Sequence, residues 1–511
     1  MGICFRSRGF LFLIGLSVLL IAGVGNNVRA ESPSSVQRSV PVLYSSDLFH
    51  PHEDPDDHYD LATLFALEEF DIRGVILDMG EIQVRKKGLP PLEQMMEIAG
   101  RKVPYGVGLN RKLRDRTDKA LDAPAEFQGG VELILNALRA SKEKVTIITV
   151  GSCRDVAVAW NREPDLMREK VKAVYVNAGR GPKDENQCEF NVYYDRLAYL
   201  RLLEVDLPIY WAPCFGVEGY NTYYRASLDE VQKRCSPRLR NYFVYCLSHS
   251  NEPALPFLDS VPRPLPRLRN GQGQDVTHLK DFWCLGTFLH AAGRSVYRTP
   301  EGDWEAVQPA EARRRGWGER NETPFAFQPI RLGSEEPVKP LAPDSDRKTG
   351  EIRAACVDTR QDWVAPHSES PDGVPDVRVR VWGLDPAKAV VSVEIANRGG
   401  ERWDLKGEGP TGRIVAEKTD TAVDYGFTPS HPFSLSLDSF QYRLEVGYAD
   451  GTSVHTEFSE PFFGEADLKV QLDAENAGKY VFHKTSAEDV YEKVMASCLY
   501  HVFKGLETGK S

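Results

Sequence analysis

The sequence predicts an α/β domain with a mainly parallel sheet and flanking helices, plus a C-terminal antiparallel β-sandwich. Three observations carry that reading. Between residues 38 and 215 short apolar runs alternate with helical patterns, the signature of βαβ units. After Val374 the pattern changes to a period of two, with Gly and Asp at the turns. The chain has 511 residues, too many for one ordinary domain.

The first thirty residues stand apart. Arg6 and Arg8 precede an apolar run from Phe10 to Val24, and Val28-Arg29-Ala30 places small residues where a signal peptidase cuts. This reads as a secretory signal peptide over 1–30, which implies a secreted or periplasmic chain; the run is short for a full membrane span. Cleavage removes Arg6, Arg8 and Arg29 and no acid, taking the net charge from -11 to -14. Such an acidic chain repels phosphate polymers, so a nucleic acid partner is not expected, nor a membrane one after cleavage. Nine cysteines are scattered without a CxxC pair, so they imply neither a zinc site nor a dense disulfide framework. One or two bridges are compatible with export, and Cys235 and Cys246 are close in sequence, but spacing alone pairs nothing.

In chain order, Val42-Leu43-Tyr44 opens the strands, and a helix follows near 58–70 with Leu61, Leu64, Phe65 and Leu67 on one face. Further strands are expected at 72–77, 145–150, 171–176 and 208–211, and helices near 90–99, 127–141, 153–162 and 194–204. Residues 220–295 read as mainly helical. This domain is assigned to 38–300. Residues 301–371, rich in Pro and charge, read as a linker partly packed on it. An immunoglobulin-like sandwich is expected over 372–465, and a helical tail over 466–511 with a helix near 486–503. No internal repeat is present.

In parallel sheets, ligands bind beyond the carboxyl ends of the strands, so the residues after each apolar run matter most. The most informative are Ser46-Asp47-Leu48-Phe49-His50-Pro51-His52-Glu53-Asp54-Pro55-Asp56-Asp57. Five acids in eleven positions repel one another. A hard cation such as calcium, which takes six to eight oxygen ligands, gives them a reason; a solvated acidic loop with a helix cap is the plain alternative.

This segment resembles the opening motif of the inosine–uridine-preferring nucleoside hydrolases. Three further stretches match in order: Val145 to Asp155, Val174-Tyr-Val-Asn-Ala-Gly179, and Glu189-Phe190-Asn191 with Asp195. Asp281, read as opening a helix with Phe282, Leu285 and Leu289 on one face, resembles the family's late metal-binding Asp. The resemblance spans roughly residues 38–295. It implies that Asp47, Asp57 and Asp281 hold Ca2+, together with the backbone carbonyl of Arg154. It implies that Asp56, Glu189 and Asn191 bind ribose hydroxyls, that Asn177 lies near the sugar, and that Asp47 is the general base. The implied partner is a small-molecule riboside; a homo-oligomer is compatible.

Departures from the family pattern bear on the base side of the substrate. The loop carries His50 to Glu53 as an insertion, Ser45 replaces an acid, Gly80-Glu81 stands for Gly-Asn, and Lys280 replaces a His. Metal and ribose recognition are expected to be kept and base recognition altered. The alternatives are a hydrolase of another glycoside and a non-catalytic sugar- or nucleoside-binding protein. His50, His52 and His58 are weaker candidates for a transition metal or a leaving-group acid. Cys284, near His278 and His290, is expected in the core rather than as a nucleophile.

Overall fold

The computed structural model describes residues 39–52, 54–182, 189–266 and 279–334. Further on it describes 353–359, 363–364, 377–382, 384–397, 402–404, 415–418, 422–427, 433–434, 442–455, 468–473 and 478–506. The expected signal peptide lies outside these residues, as do Glu53, Cys188 and His278.

The first half alternates as its sequence pattern demands. Strands β1 (Val40–Ser46), β2 (Phe70–Leu77), β3 (Tyr105–Val107), β4 (Val145–Thr149), β5 (Val171–Val176) and β6 (Ile209–Trp211) pair in parallel. Helix α1 (Asp56–Ala66) joins β1 to β2, and helices Leu89–Ala99, Gly129–Ala140, Arg154–Arg162 and Arg196–Glu204 follow in turn. Each strand reads as a continuous apolar run because both faces are covered. Leu43, Ile76, Ile147 and Val174 pack into one core layer, while Val42, Tyr44, Val75, Ile148 and Tyr175 pack into the other.

Strand β1 lies between β2 and β4. From it the chain moves one way through β2 and β3, then returns to build β4, β5 and β6 on the other side. That reversal opens a crevice at the carboxyl ends of β1 and β4, the usual ligand position in such sheets.

Beyond β6 the fold departs from the sequence reading. Lys479–Lys484 pairs in parallel with β6, Phe325–Ser334 pairs antiparallel with Lys479–Lys484, and Leu468–Leu472 closes that edge. The nine-stranded sheet therefore contains segments expected to be linker and tail. Residues 301–371 are not simply a linker: they hold strand Trp304–Val307, helix Pro309–Arg314 and the long strand Phe325–Ser334. Residues 466–511 are not only helical, although helix Glu488–Val502 is where a helix was expected. Both errors share a cause. These strands pair with partners remote in sequence, and a Pro-interrupted run carries no local sign of that pairing.

The additional sheets are antiparallel. One joins Arg353–Thr359, Val377–Trp382, Ala422–Phe427 and Val415–Lys418; the other joins Arg402–Asp404, Val390–Asn397, Tyr442–Tyr448 and Ser453–His455. They begin earlier than residue 372. They are also inserted between two neighbouring strands of the main sheet rather than appended, since Ser334 stands opposite Leu468.

A pair of deletions separates these architectures. Removing 466–511 takes out a strand with Val481 and Phe482 fully buried and a helix with Tyr491 and Met495 fully buried. The shortened chain is expected to lose its cooperative unfolding transition in circular dichroism. Replacing 335–467 by a short Gly-Ser turn is expected to keep one. The opposite pattern would mark the C-terminal segment as a dispensable tail.

Candidate active site

Strand β1 ends at Ser46, and the chain enters the acidic loop at Asp47. The loop leads into α1, where Asp56 and Asp57 occupy the first turn, Pro55 offers no capping side chain, and Asp54 Oδ1 accepts from the Asp56 backbone nitrogen at 3.2 Å. Negative charge is favoured there by the helix dipole. Ser46 Oγ donates to Asp57 Oδ1 at 2.7 Å, which ties the strand end to the helix start. Asp54 turns outward to Lys280, whose Nζ lies 2.9 Å from its Oδ1.

The carboxylates left facing inward perturb one another. Desolvation pushes Asp47 well above the usual carboxylate range, and the charges of Asp78 and Asp56 push it further. Asp57 is raised by desolvation and then by Asp47; Asp56 by desolvation and then by Asp54 and Asp57. Such a cluster is relieved by protons or by a cation. Behind it, the buried Asp60 is raised to about 7, chiefly by burial.

The glycine turn after β4 completes this floor. A Cβ on Gly151 would stand 3.2 Å from Asp47 Oδ1 and 2.6 Å from Asp78 Oδ2, so only glycine lets both acids approach the turn. Ser152 then donates from its backbone nitrogen to Asp78 Oδ2 at 2.6 Å and from Oγ to Asp78 Oδ1 at 2.8 Å. Cys153 adopts a left-handed conformation with φ of 63°, turning the chain into the helix that starts at Arg154.

Beyond β5, the sugar-side candidates interlock. Asn191 Nδ2 donates to the carbonyls of Val150 and Asn177, both at 2.9 Å. Asn177 is fully buried, and Thr287 Oγ1 donates to its Oδ1 at 2.7 Å. Glu189 accepts from the backbone nitrogens of Gly179 at 2.7 Å and Asn191 at 2.9 Å. Burial raises Glu189 to about 7 despite those donors, and its charge reaches Asp47.

The structure thus gathers Asp47, Asp56, Asp57, Asn177, Glu189 and Asn191 around the carboxyl ends of β1, β4 and β5. Asp281 is placed differently. It lies in strand β8 (Lys280–Phe282), paired with β7 (Tyr224–Ala226), and the helix begins only at Leu285. The expectation of a helix opening at Asp281 is therefore corrected: cross-strand pairing with Arg225 holds the residue extended. Its Oδ1 accepts from Tyr223 Oη at 3.0 Å and Arg225 Nε at 3.1 Å. Among the described residues, no group of three or more His, Cys, Asp or Glu side chains is already arranged to hold an ion.

Arg154 has a larger part than its carbonyl. Its fully buried guanidinium donates to both Glu81 oxygens at 3.1 Å, to Asp195 Oδ2 at 3.2 Å, and to the carbonyls of Leu109 and Tyr194. Asp195 caps helix Arg196–Glu204, accepting from Ala198. Sequence reasoning also missed Asp78. It directly follows the apolar run of β2, so the rule that selected Asp47 applies to it as well. Cys284 is buried, as expected for a core residue, and Cys153, Cys214, Cys235, Cys246, Cys284 and Cys498 are free thiols. No described helix is long and apolar enough to cross a membrane.

A doubly covered parallel sheet with an acid-rich crevice at its strand ends defines a class of α/β proteins with polar small-molecule sites. Within that class, residues 53–252 match the model of the inosine-uridine preferring nucleoside hydrolase family. It is 28% identical over 192 residues to the pyrimidine-specific ribonucleoside hydrolase RihA of Citrobacter koseri, covering 34% of this chain and 60% of that protein. The RihA of Escherichia coli O1:K1 / APEC is 25% identical over 192 residues, with the same coverage. The chain thus spans about 60% of the length of these curated relatives. Among solved structures, it is similar to the inosine-uridine preferring nucleoside hydrolase of Bacillus anthracis. That match has a TM-score of 0.31 and 13% identity, and covers 47% of this chain and 90% of that one.

Proposed function

We propose that this protein hydrolyses the N-glycosidic bond of a ribonucleoside or related riboside, with calcium as cofactor, after export from the cytoplasm. The observation carrying this reading is the pairing of two sets at one crevice. Mutually repelling carboxylates, Asp47, Asp56 and Asp57, stand beside the polar groups of Asn177, Glu189 and Asn191, which this reading assigns to the ribose hydroxyls. Apolar substrates have no use for such a site.

The donor set suits a hard cation. Asp47 and Asp57 are oxygen donors raised by desolvation and like charge, the state a divalent ion relieves. They would hold the ion with the Arg154 carbonyl, and with Asp281 once its carboxylate leaves Arg225. A bound calcium ion would supply a positive centre that lowers the pKa of water. Asp47 takes the proton of the attacking water. Asp56, Glu189 and Asn191 orient the ribose hydroxyls as positive charge develops on the sugar when the base departs. The inward charge of Asp47 and Glu189 stabilises that ribosyl cation. On the base side, Lys280 is engaged with Asp54, so a leaving group of low basicity needs least help.

The test compares ribosides with 2'-deoxyribosides in base-release assays. Polar groups built for a missing hydroxyl are left unpaired, so deoxyribosides should be poorer by roughly 10⁴-fold or more in kcat/KM. Equal rates would overturn the sugar assignment. Tight binding of ribosides with no release of base from nucleosides, and none of nitrophenol from nitrophenyl riboside, would favour a binding protein on this fold.

A further inference from the structure

Four histidines gather beside the acidic loop without entering the chemistry above. His50 and His52 come from the loop, His58 from α1, and His249 from the turn after helix Pro237–Leu247, where its φ is 50°. His58 is fully buried, and neither of its ring nitrogens has a hydrogen-bond partner. A buried imidazole in that state gains nothing for its desolvation.

His50 is poised in a more specific way. Its ring stacks on Tyr245 with centroids 4.3 Å apart. Its Nε2 lies 2.8 Å from the Ser250 carbonyl, an acceptor, so Nε2 carries the proton. Nδ1 is then a bare lone pair, buried and without a hydrogen-bond partner. A proton donated to a carbonyl from one ring nitrogen while the other stays bare is how proteins orient a metal-binding histidine.

The spacing agrees. Imidazoles sharing a tetrahedral zinc, with bonds of about 2.0–2.1 Å, have donor nitrogens about 3.3 Å apart and ring centroids about 5 Å apart. Here the Nε2 atoms of His52 and His249 are 3.2 Å apart. Ring centroids are separated by 4.4 Å for His52 and His249, 5.7 Å for His52 and His58, and 6.4 Å for His50 and His58. The His50 and His58 rings stand wider than that spacing, so binding an ion requires the four rings to draw together from the arrangement seen here.

We propose that His50, His52, His58 and His249 form a second cation site, distinct from the carboxylates and selective for a divalent transition metal of the zinc class. Imidazole nitrogen favours zinc, cobalt and nickel over calcium, whereas the neighbouring carboxylates have the opposite preference. The site fastens the acidic loop to α1 and to the turn at His249, which gives the loop a fixed path to the crevice. It stands independently of the hydrolase reading.

The test is a cobalt titration of chelator-treated full-length protein in excess calcium, read by visible absorption. One equivalent of Co2+ is expected to give the strong bands of a tetrahedral nitrogen site, and Zn2+ to displace it. H52Q and H249Q are each expected to weaken cobalt binding roughly tenfold or more. His249 is exposed, so H249Q remains a fair test should H58Q fail to fold. The absence of such bands would overturn the proposal. So would bands unaltered by both H52Q and H249Q, or bands removed by Asp57→Asn while those two variants keep them.

Discussion

Asp47→Asn is expected to lower turnover of a good riboside substrate by about 10²- to 10⁴-fold, the range for loss of a general base. Its KM should change far less. The amide keeps the shape of the carboxylate and one oxygen toward the cation, but accepts no proton. The same change removes one charge from a cluster in which Asp47, Asp56 and Asp57 raise one another. Stability in chelator should therefore hold or rise while activity falls. Steady-state kinetics beside thermal unfolding, with and without calcium, separates the two effects. Full activity in Asp47→Asn would move the base to another acid, with Asp78 next in line because it shares the Gly151 turn.

Among single substitutions, Arg154→Met should show the largest loss of stability. The guanidinium is fully buried between Glu81 and Asp195, and Asp195 is itself buried. Methionine fills much of the space but leaves the Asp195 carboxylate without its partner. Breaking one side of such a pair costs about 3–5 kcal/mol. Urea unfolding measures it. Adding Asp195→Asn should recover part of the loss, because an amide has no charge to strand. A change below about 1 kcal/mol would mean that water reaches the carboxylate and that the network is not a buried one.

The network also explains how far the sequence could be read. Arg154 was selected for its carbonyl, through family resemblance, because nothing local to Arg-Asp at a helix start signals a side chain bridging Glu81 and Asp195. Those acids lie 73 and 41 residues away. Asp281 shows the same limit from the other side. Its neighbours suggested a helix, and its pairing with Arg225 set an extended strand instead. Asp47 and Asp56 were legible because they lie in the acidic stretch between an apolar strand and a helix, which places them at a strand end. Glu189 and Asn191 were reached only through the family resemblance.

The sequence by itself determined the parallel βαβ half, since continuous apolar runs alternating with amphipathic helices admit few other arrangements. It also determined that acids cluster after the first strand, and that antiparallel strands follow residue 374. Only the tertiary structure decided that Phe325–Ser334, Leu468–Leu472 and Lys479–Lys484 complete the main sheet, which makes the antiparallel region an insertion. It alone decided that His249 meets a loop nearly two hundred residues earlier. The physical reason is common to both. Apolar periodicity records which face of a segment is buried, but not which distant segment buries it. Strand partners and side-chain clusters are chosen by packing over the whole chain.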